Sequence, residues 1–373
     1  MRQFERILVV KLADIGDAVL SLPAVQSLRA GNPNATIDIL TTEAGANVFA
    51  LSKAIDRVIT LQKQQFDHIR GLISFSGITE LLRLAAQLRG GRYEAVVLLH
   101  HLTTSFGARK FAALVRTTGA TVVAGLDNGR GAFLTHAAPD YGFGAKAEWE
   151  YGLDVVRSLG IDAHETRPEF SLPESAEKSA RSLLQRTLGH HAEYAVVHPE
   201  VGAFSPARAW RNDHFADVCR HLIVDHDLPV LLVGVERDRP GHEQLAAIPG
   251  VYDLVGQTSF PELCHIVQAS RIVVGCDSSV CHLAGAFNRP TIALFGPSNI
   301  HAWKPYGSRV MKIGERLDRD ENVIALHRDL PCSPCIYTGF RLGRPQGCRS
   351  RSCMMDLPPA PVQQLSDTLL QRS

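Results

Sequence analysis

The sequence lacks any long apolar run and any strong excess of one charge. Its 373 residues carry 39 Lys and Arg against 38 Asp and Glu, a balance that argues against a dedicated nucleic-acid-binding protein. No stretch approaches the roughly 18 consecutive apolar residues that a membrane-spanning helix needs. The apolar stretch near the N-terminus is too short for a signal peptide, and Lys11 and Asp14 soon interrupt it. We therefore expect a cytoplasmic protein.

The two most familiar nucleotide-binding motifs are also missing. No G-x-x-x-x-G-K-S/T segment occurs, and no G-x-G-x-x-G follows the first predicted strand. These absences exclude P-loop ATPases and dinucleotide-dependent dehydrogenases. Low-complexity tracts and short-period repeats are absent as well. What remains is a chain with 45% hydrophobic residues and a length that predicts two globular domains.

The first half of the sequence alternates short apolar runs with helical patterns. Strands are predicted at residues 6–10, 36–41, 57–61, 95–99 and 121–126, and helices at 18–30, 78–88 and 106–115. This alternation is typical of repeated βα units. It predicts an α/β fold with a mostly parallel sheet covered by helices.

A polar segment with two prolines, residues 164–180, follows this pattern and is predicted to be an interdomain linker. Beyond it, strands are predicted at 194–198, 230–234, 272–275 and 291–295, and helices at 215–224 and 261–268. We expect an N-terminal domain of residues 1–170 and a C-terminal domain of residues 171–358. An amphipathic helix at 359–373 is expected to cross back to the first domain.

The segment "IVVGCDSSVCHLAGAFNRPTIALFGPS", residues 272–298, is the most informative stretch. A predicted strand leads into a helix that is expected to start at Asp277. Ser278 and Ser279 then lie in the first turn, and His282 lies one turn later on the face of Ser278. The unpaired amides and the dipole at such a helix start attract anions, most often phosphate. Simple helix capping is the alternative, but it does not require the histidine, so we favour a phosphate-containing ligand.

Two other strand ends in the second half carry charged side chains. In "VVHPEVGAFSPARAW", residues 196–210, a turn containing Ser205 leads to Arg208. Arginine suits bidentate phosphate binding, although a solvated surface arginine is the alternative. In "LLVGVERD", Glu236 follows a strand, where a carboxylate can accept both hydroxyls of a ribose. If a diphosphate binds here, side-chain cations and fixed dipoles must balance its charge without Mg²⁺.

Four cysteines lie close together in the sequence, at Cys332, Cys335, Cys348 and Cys353. Their C-x2-C and C-x4-C spacing is close to that of structural zinc or iron sites. Free thiols are the alternative, and a disulfide is less favoured in a cytoplasmic protein. The sequence therefore leaves a structural Zn or Fe ion open and indicates no catalytic role for the cluster.

Together these motifs resemble glycosyltransferase family 9, which contains the ADP-heptose:lipopolysaccharide heptosyltransferases. The matching features are a K-x-x-x-x-G-D loop at Lys11–Asp17, a basic residue two before Trp, a G-x-E after a strand, and D-S/T-x-x-x-H followed by P-x-x-x-L-F-G-P. The resemblance covers residues 6–357. It implies a GT-B architecture, in which two Rossmann-like domains face each other across a cleft. The implied activity is inverting transfer of a heptose, or a related sugar, from ADP-heptose to a lipopolysaccharide core acceptor, with no cofactor required.

The resemblance also implies roles for individual positions. Asp17 matches the proposed catalytic base, with Asp14 as its rival, and it would take the proton of the acceptor hydroxyl. Arg208 matches a donor-phosphate cation that is usually lysine, Glu236 a ribose contact, and Asp277 a donor-sugar contact. The remaining candidates are Ser205, Ser278, Ser279 and His282 for the donor, and Lys11 and Asp14 for the acceptor. Position 279 is mostly glycine in the family, so a serine there adds bulk beside the phosphate.

Two alternatives share this fold. One keeps the donor chemistry but uses a protein hydroxyl as acceptor, as in relatives that glycosylate autotransporters and are thought to hold iron with a similar cysteine cluster. The other is a nucleotide-sugar-binding module without turnover, which the presence of both Asp17 and Asp277 argues against. Expected partners are the nucleotide-sugar, a lipopolysaccharide core or other glycan, and the inner-membrane surface, but no nucleic acid.

Overall fold

The computed structural model describes residues 3–61, 75–236, 242–317 and 320–371. The chain forms two compact units, Met1–Ser171 and Leu172–Ser373. Within the described ranges, no helix combines the length and the apolar character needed to cross a membrane.

The first unit is a parallel sheet with helices between its strands. Its elements are β1 (Arg6–Lys11), α1 (Ile15–Gly31), β2 (Thr36–Thr41), α2 (Glu43–Phe49), β3 (Arg57–Thr60), α3 (Phe75–Gly90), β4 (Ala95–Leu98), α4 (Ser105–Thr118), β5 (Val122–Asp127), β6 (His136–Pro139) and α5 (Glu148–Ser158). The strand order is β3-β2-β1-β4-β5-β6, and every neighbouring pair is parallel. The order reverses between β1 and β4, which is where open α/β sheets bind ligands at the carboxyl ends of their strands.

The second unit repeats this plan. Its elements are α6 (Glu174–Leu188), β7 (Ala195–His198), a 3₁₀ turn (Pro206–Arg208), α7 (Asn212–His226), β8 (Val230–Leu232), α8 (Glu243–Ala246), β9 (Val251–Asp253), α9 (Phe260–Ala269), β10 (Ile272–Cys276), α10 (Ser279–Ala286), β11 (Thr291–Phe295), α11 (Ile300–Trp303), β12 (Arg309–Lys312), β13 (Val323–His327), β14 (Ile336–Thr338), β15 (Arg341–Gly343), α12 (Ser352–Met355) and α13 (Ala360–Leu370). The parallel sheet has the order β12-β13-β11-β10-β7-β8-β9, and β14 and β15 form a separate antiparallel hairpin. Here the order reverses between β7 and β10.

The central strands are apolar along their whole length because helices cover both faces of each sheet. Every residue of β10 and β11 is buried, and five of the six residues of β1 are buried. Parallel strands covered on both faces need such continuous apolar runs. Each fully buried Val, Leu or Ile side chain contributes about 1.5–3 kcal/mol of apolar transfer free energy. The prediction of an α/β fold with parallel sheets is confirmed.

Part of the predicted linker at 164–180 is helical. The unit boundary falls after Ser171, and α6 begins at Glu174 with Pro173 as its N-cap. Proline fixes a backbone angle that suits a helix start, and Glu174 and Glu177 in the first turn complement the helix dipole. The polar composition of this stretch therefore belongs to a solvent-facing helix as well as to a linker.

The C-terminal helix packs on the second unit. Val362, Leu365 and Leu369 of α13 belong to the same apolar core as Phe215 and Leu222 of α7. The expectation that this helix crosses back to the first domain is therefore wrong. Its amphipathic pattern predicts the helix, but the pattern does not specify which apolar surface the helix covers.

Candidate functional site

In the second unit, the candidate residues converge where β7 and β10 end side by side. Gly275 of β10 pairs with His198 of β7, so Asp277 and the loop after His198 start from neighbouring strands. A Cβ at Gly275 would lie 2.9 Å from the His198 carbonyl oxygen and 3.0 Å from Cys281 Sγ. Glycine is required there because the two strands and α10 approach one another so closely.

Arg208 and Asp277 form a buried ion pair at this edge. Arg208 Nη1 lies 3.3 Å from Asp277 Oδ2 and donates to the Asp277 carbonyl oxygen at 3.1 Å. The two side chains are only 16% and 6% exposed, so water screens their attraction weakly. Burial alone would raise the pKa of Asp277, but the Arg208 charge and the nearby His282 lower it below its ordinary value. Asp277 is thus ionised and orients the guanidinium group.

Another edge of the Arg208 guanidinium is available for a ligand. Its Nε is buried and has no hydrogen-bond partner among the residues that the structure describes. Its Nη2 lies 3.5 Å from the place that a Cβ at Gly202 would take. Nε and Nη2 together form the edge that binds two phosphate oxygens at once. An unmet buried donor costs about 1–3 kcal/mol, a cost that an anion bound at this edge would remove.

The helix expected to start at Asp277 begins two residues later, at Ser279. The Asp277 amide donates to the Leu294 carbonyl oxygen of β11 at 2.9 Å, and the backbone of Ser278 is still extended, so the helix cannot begin before Ser279. Ser278 is the N-cap by position, but within the described structure its side chain caps no amide of α10. Its Oγ lies 3.0 Å from His198 Nδ1 instead. Side-chain capping therefore does not explain the serine at position 278. The half-buried Ser279 is the first residue of α10.

His282 and His198 flank this helix start. His282 is buried, and its Nε2 lies 3.8 Å from Asp277 Oδ1. The sequence motifs do not identify His198 as a site residue. The available signal is that His198 begins a His-Pro pair at the end of a buried strand. Burial, with a smaller effect of His242, lowers the pKa of His198 to about 4. A neutral His198 therefore holds Ser278 at neutral pH.

Ser205 and Glu236 lie in different settings. Ser205 is fully buried, and its Oγ donates to the Pro345 carbonyl oxygen at 2.6 Å. That bond ties the turn before Arg208 to the cysteine-bearing segment, which suits a supporting role better than ligand contact. Glu236 is exposed and lies so close to Gly256 that a Cβ there would be 2.2 Å from Glu236 Oε2.

In the first unit, the predicted residues lie where β1 leads into α1. Lys11 is the buried last residue of β1, and Asp17 is half-buried in the first turn of α1. Asp14 is exposed at the N-cap position, but its side chain makes no capping bond in the described residues. The dipole of α1 favours a negative charge at Asp17.

The loop between Lys11 and Asp17 is held by a histidine from the neighbouring strand end. The Leu12 amide donates to His100 Nε2 at 2.7 Å, and the His100 ring stacks on Phe111 with centroids 4.9 Å apart. Because Nε2 accepts this bond, the neutral His100 ring carries its proton on Nδ1. His100, which no sequence motif identified, therefore positions the loop that leads to Asp17.

A buried charge cluster adjoins His100. His101 Nδ1 lies 3.0 Å from Asp140 Oδ1, and His101 Nε2 lies 3.1 Å from Glu148 Oε1. Burial opposes the charged ring, but the two carboxylates raise the pKa of His101 to about 9. The pKa of Asp140 is lowered by His101 in spite of burial. An imidazolium ion between two carboxylates therefore ties β4 to the ends of β6 and α5.

The four cysteines lie beside the β14–β15 hairpin and α12, and each is a free thiol in the described structure. Cys332 and Cys348 are exposed, Cys335 is half-buried and Cys353 is buried. Burial and the neighbouring thiols raise the pKa of Cys335, and that of Cys353 to about 11. No three of these described sulfurs lie within 4.8 Å of one another. The thiols are thus neighbours, but they are not gathered into one ligand set.

The sequence of the chain is similar to those of known proteins. The family model described as Glycosyltransferase family 9 (heptosyltransferase) matches residues 81–326. Lipopolysaccharide heptosyltransferase 3 of Escherichia coli is 26% identical over 312 residues, which cover 80% of this chain and 85% of that protein.

Solved structures show the same fold. E. coli ADP-heptose lps heptosyltransferase II is similar over 98% of this chain and 99% of its own, with a TM-score of 0.70 and 20% identity. The iron-containing dodecameric glycosyltransferase TibC from enterotoxigenic E. coli has a TM-score of 0.57 and 12% identity, covering 100% of this chain and 77% of TibC. The fold is that of the GT-B heptosyltransferases, and since the family model covers more than half of the sequence, the chain belongs to glycosyltransferase family 9.

Proposed function

We propose that this protein transfers a heptose, or a related sugar, from ADP-heptose to a lipopolysaccharide core acceptor, with inversion at the anomeric carbon and without a catalytic metal. The observation that carries the proposal is the buried Arg208 Nε, which has no partner among the described residues and lies beside the start of α10. A diphosphate supplies the paired oxygens that this edge of the guanidinium group binds.

The second unit would bind the donor. As the bond between the sugar and the diphosphate breaks, negative charge grows on the leaving oxygen. Arg208 and the amides at the start of α10 would stabilise that charge. Asp277 lies against Arg208 and would avoid phosphate because like charges repel, so its roles are to hold the guanidinium and to contact sugar hydroxyls. The exposed carboxylate of Glu236 would accept the ribose hydroxyls.

The first unit would bind the acceptor and supply the base. Asp17 would take the proton of an acceptor hydroxyl while that oxygen attacks the anomeric carbon opposite the diphosphate. The new glycosidic bond forms as the old one breaks, which inverts the configuration. Lys11 and Asp14 would contact the acceptor, and His100 would keep the loop in place through Leu12.

We also place this reaction at the cytoplasmic face of the inner membrane, with the protein bound to the membrane surface. Lipopolysaccharide heptosyltransferases act on acceptors at this face of the membrane, which supports the location. A protein hydroxyl is the second candidate acceptor, favoured by the four cysteines on either side of the β14–β15 hairpin and by the similarity in fold to an iron-containing glycosyltransferase.

Replacing Asp17 by Asn tests the proposal. Loss of a general base should lower the transfer rate about 10²- to 10⁴-fold, while ADP affinity, measured by calorimetry, should remain near that of the wild type. Transfer is followed by mass spectrometry with truncated lipopolysaccharide and a panel of nucleotide-sugars. Asp14→Asn is the comparison variant: as an acceptor contact it should raise KM for the acceptor and leave kcat near that of the wild type. If Asp14→Asn is inactive and Asp17→Asn is active, the base is misassigned, and a wild type that binds ADP without turnover overturns the enzyme proposal itself.

We further propose that the four cysteines hold a structural Zn or Fe ion. Burial, with Cys348 and Cys332 beside it, raises the pKa of Cys335, and the Arg351 amide donates to Cys348 Sγ at 3.3 Å, as amides do to metal-bound thiolates. A bound ion would fix the segment that follows the hairpin, to which Ser205 is tied through Pro345. Metal analysis of the purified chain should find about one ion fewer in Cys332→Ser than in the wild type, whereas Cys264→Ala, a cysteine outside the cluster, should keep the wild-type content. Equal metal content in all three proteins would contradict the proposal.

A further inference from the structure

Two histidines and an aspartate meet between α7 and α13. Nε2 of His221 and Nε2 of His226, both on α7, each lie 2.7 Å from the same Oδ1 of Asp367 on α13. The other ring nitrogen of His221, Nδ1, lies 2.7 Å from Asp225 Oδ2. Within the described residues, His221, His226 and Asp367 form a group whose three ligand atoms all lie within 4.8 Å of one another.

Neutral imidazole rings satisfy this cluster poorly. A neutral imidazole has one N–H and therefore donates to one carboxylate only. His221 faces a carboxylate at each nitrogen, so in the neutral form one carboxylate oxygen would face a ring lone pair. The His226 nitrogen contacts the same Asp367 oxygen, which brings three ligand atoms together at one place. A second proton on His221, or a metal ion shared by the three ligand atoms, removes the conflict at His221.

We propose that His221, His226 and Asp367 bind a divalent transition-metal ion, with Zn²⁺ as the natural occupant, and that the ion clips α13 to α7. Imidazole nitrogens and a carboxylate oxygen are ligands that zinc prefers. A water molecule completes the tetrahedron. Asp225 then plays the part of the carboxylate that accepts the other N–H of a metal-bound histidine.

The setting favours a structural ion. The His221 and His226 side chains are 16% and 19% exposed, whereas Asp367 is 42% exposed, which leaves an entry path for the ion. In the chain, these residues lie on two helices and not at the strand ends that carry Arg208 and Asp277. They also differ in chemistry from the four cysteines, because no thiol takes part. The site is therefore independent of the proposed transfer reaction.

Metal titration of the full-length chain, stripped with EDTA, tests the site. Zn²⁺ affinity should fall about 100-fold or more in His226→Gln and Asp367→Asn, and about 10- to 100-fold in Asp225→Asn, which removes an outer partner only. His190→Gln, an exposed histidine of the same unit, should bind as the wild type does. Circular dichroism reports whether each variant folds. If His226→Gln and Asp367→Asn do not fold, Asp225→Asn still tests the site because it leaves all three proposed ligands in place.

A second probe separates this site from the cysteines. Co²⁺ bound by thiolates absorbs intensely in the near ultraviolet, whereas Co²⁺ held by imidazole and carboxylate gives weak visible bands only. The Cys332→Ser variant should keep the weak bands and the Zn²⁺-induced rise in melting temperature, and His226→Gln should lose both. Unchanged Zn²⁺ affinity in His226→Gln and Asp225→Asn, or a Co²⁺ spectrum of thiolate type alone, overturns the proposal.

Discussion

For the single residue Arg208, the shape of the side chain matters as well as its charge. The guanidinium donates from Nη1 to Asp277 and leaves Nε without a hydrogen-bond partner among the described residues, a division that an ammonium group cannot reproduce. We expect Arg208→Lys to lower kcat/KM for the nucleotide-sugar about 10-fold. Arg208→Met, which removes the cation, should lower it about 10²- to 10³-fold, as loss of one transition-state donor does. Initial rates at varied donor concentration measure both.

A neighbouring arginine provides the control for this series. Arg211 is half-exposed, and its ion pair is with Asp213 on the surface, where such pairs contribute little. Arg211→Lys should leave kcat/KM unchanged. Full activity of Arg208→Lys would show that charge alone suffices and that the planar fork has no role.

Residue patterns predicted part of this site and not the rest. Arg208, Asp277, Ser278 and His282 follow predicted strands, and because β7 and β10 are neighbours, three of them meet in space. His198 and the partners of His101 were not predicted. Their contacts depend on which strands lie side by side, and a single sequence does not state strand order.

For whole elements, the close packing of β7, β10 and α10 makes Gly275 irreplaceable. An added methyl group would overlap the His198 carbonyl oxygen, which is backbone and cannot move alone. We expect Gly275→Ala to lower the free energy of unfolding by about 1–3 kcal/mol, measured by urea denaturation. Gly90→Ala at the end of α3, where nothing lies within 4 Å of an added Cβ, should be neutral or slightly stabilising. Equal effects of the two substitutions would contradict the packing argument.

Element types were easier to predict than element ends. The strands and helices with strong apolar periodicity lie where the sequence places them, because their pattern sets which face is buried. The predicted start of α10 is two residues too early because the chain stays extended beside β11 through Ser278, and a tertiary hydrogen bond such as that of the Asp277 amide leaves no local signal. Strand β6 was missed since it has four residues, a mixed burial pattern and a terminal proline.

On the scale of the whole molecule, a two-unit chain follows from length and from the repeated βα pattern. The position of α13 on the second unit does not follow from the sequence, because an amphipathic face fits any apolar groove of suitable size. Leu365 and Leu369 complete the core of the second unit, and the shared bonds of Asp367 to His221 and His226 fix the helix there.

The two units should respond to pH in opposite directions. In the first unit, the pKa of His101 is raised from 6.5 to about 9, so the folded form holds a proton that the unfolded form releases. That stabilisation is complete below pH 6.5 and is lost as pH rises toward 9. In the second unit, the pKa of His198 is lowered to about 4. The unfolded form therefore gains the proton, and stability is lost as pH falls from 6.5 toward 4.

Hydrogen exchange with mass spectrometry, run on the full chain across this pH range, measures each unit separately. Since one pKa unit corresponds to about 1.4 kcal/mol, each contribution is on the order of 3 kcal/mol. Protection of β4 should fall above pH 7 while that of β7 persists, and the reverse should occur in acid. His101→Gln should flatten the alkaline loss and His198→Asn the acid loss, each leaving the other intact, whereas His190→Gln should change neither. If β4 and β7 lose protection together at both ends of the range, the two histidines do not govern the stability of their units.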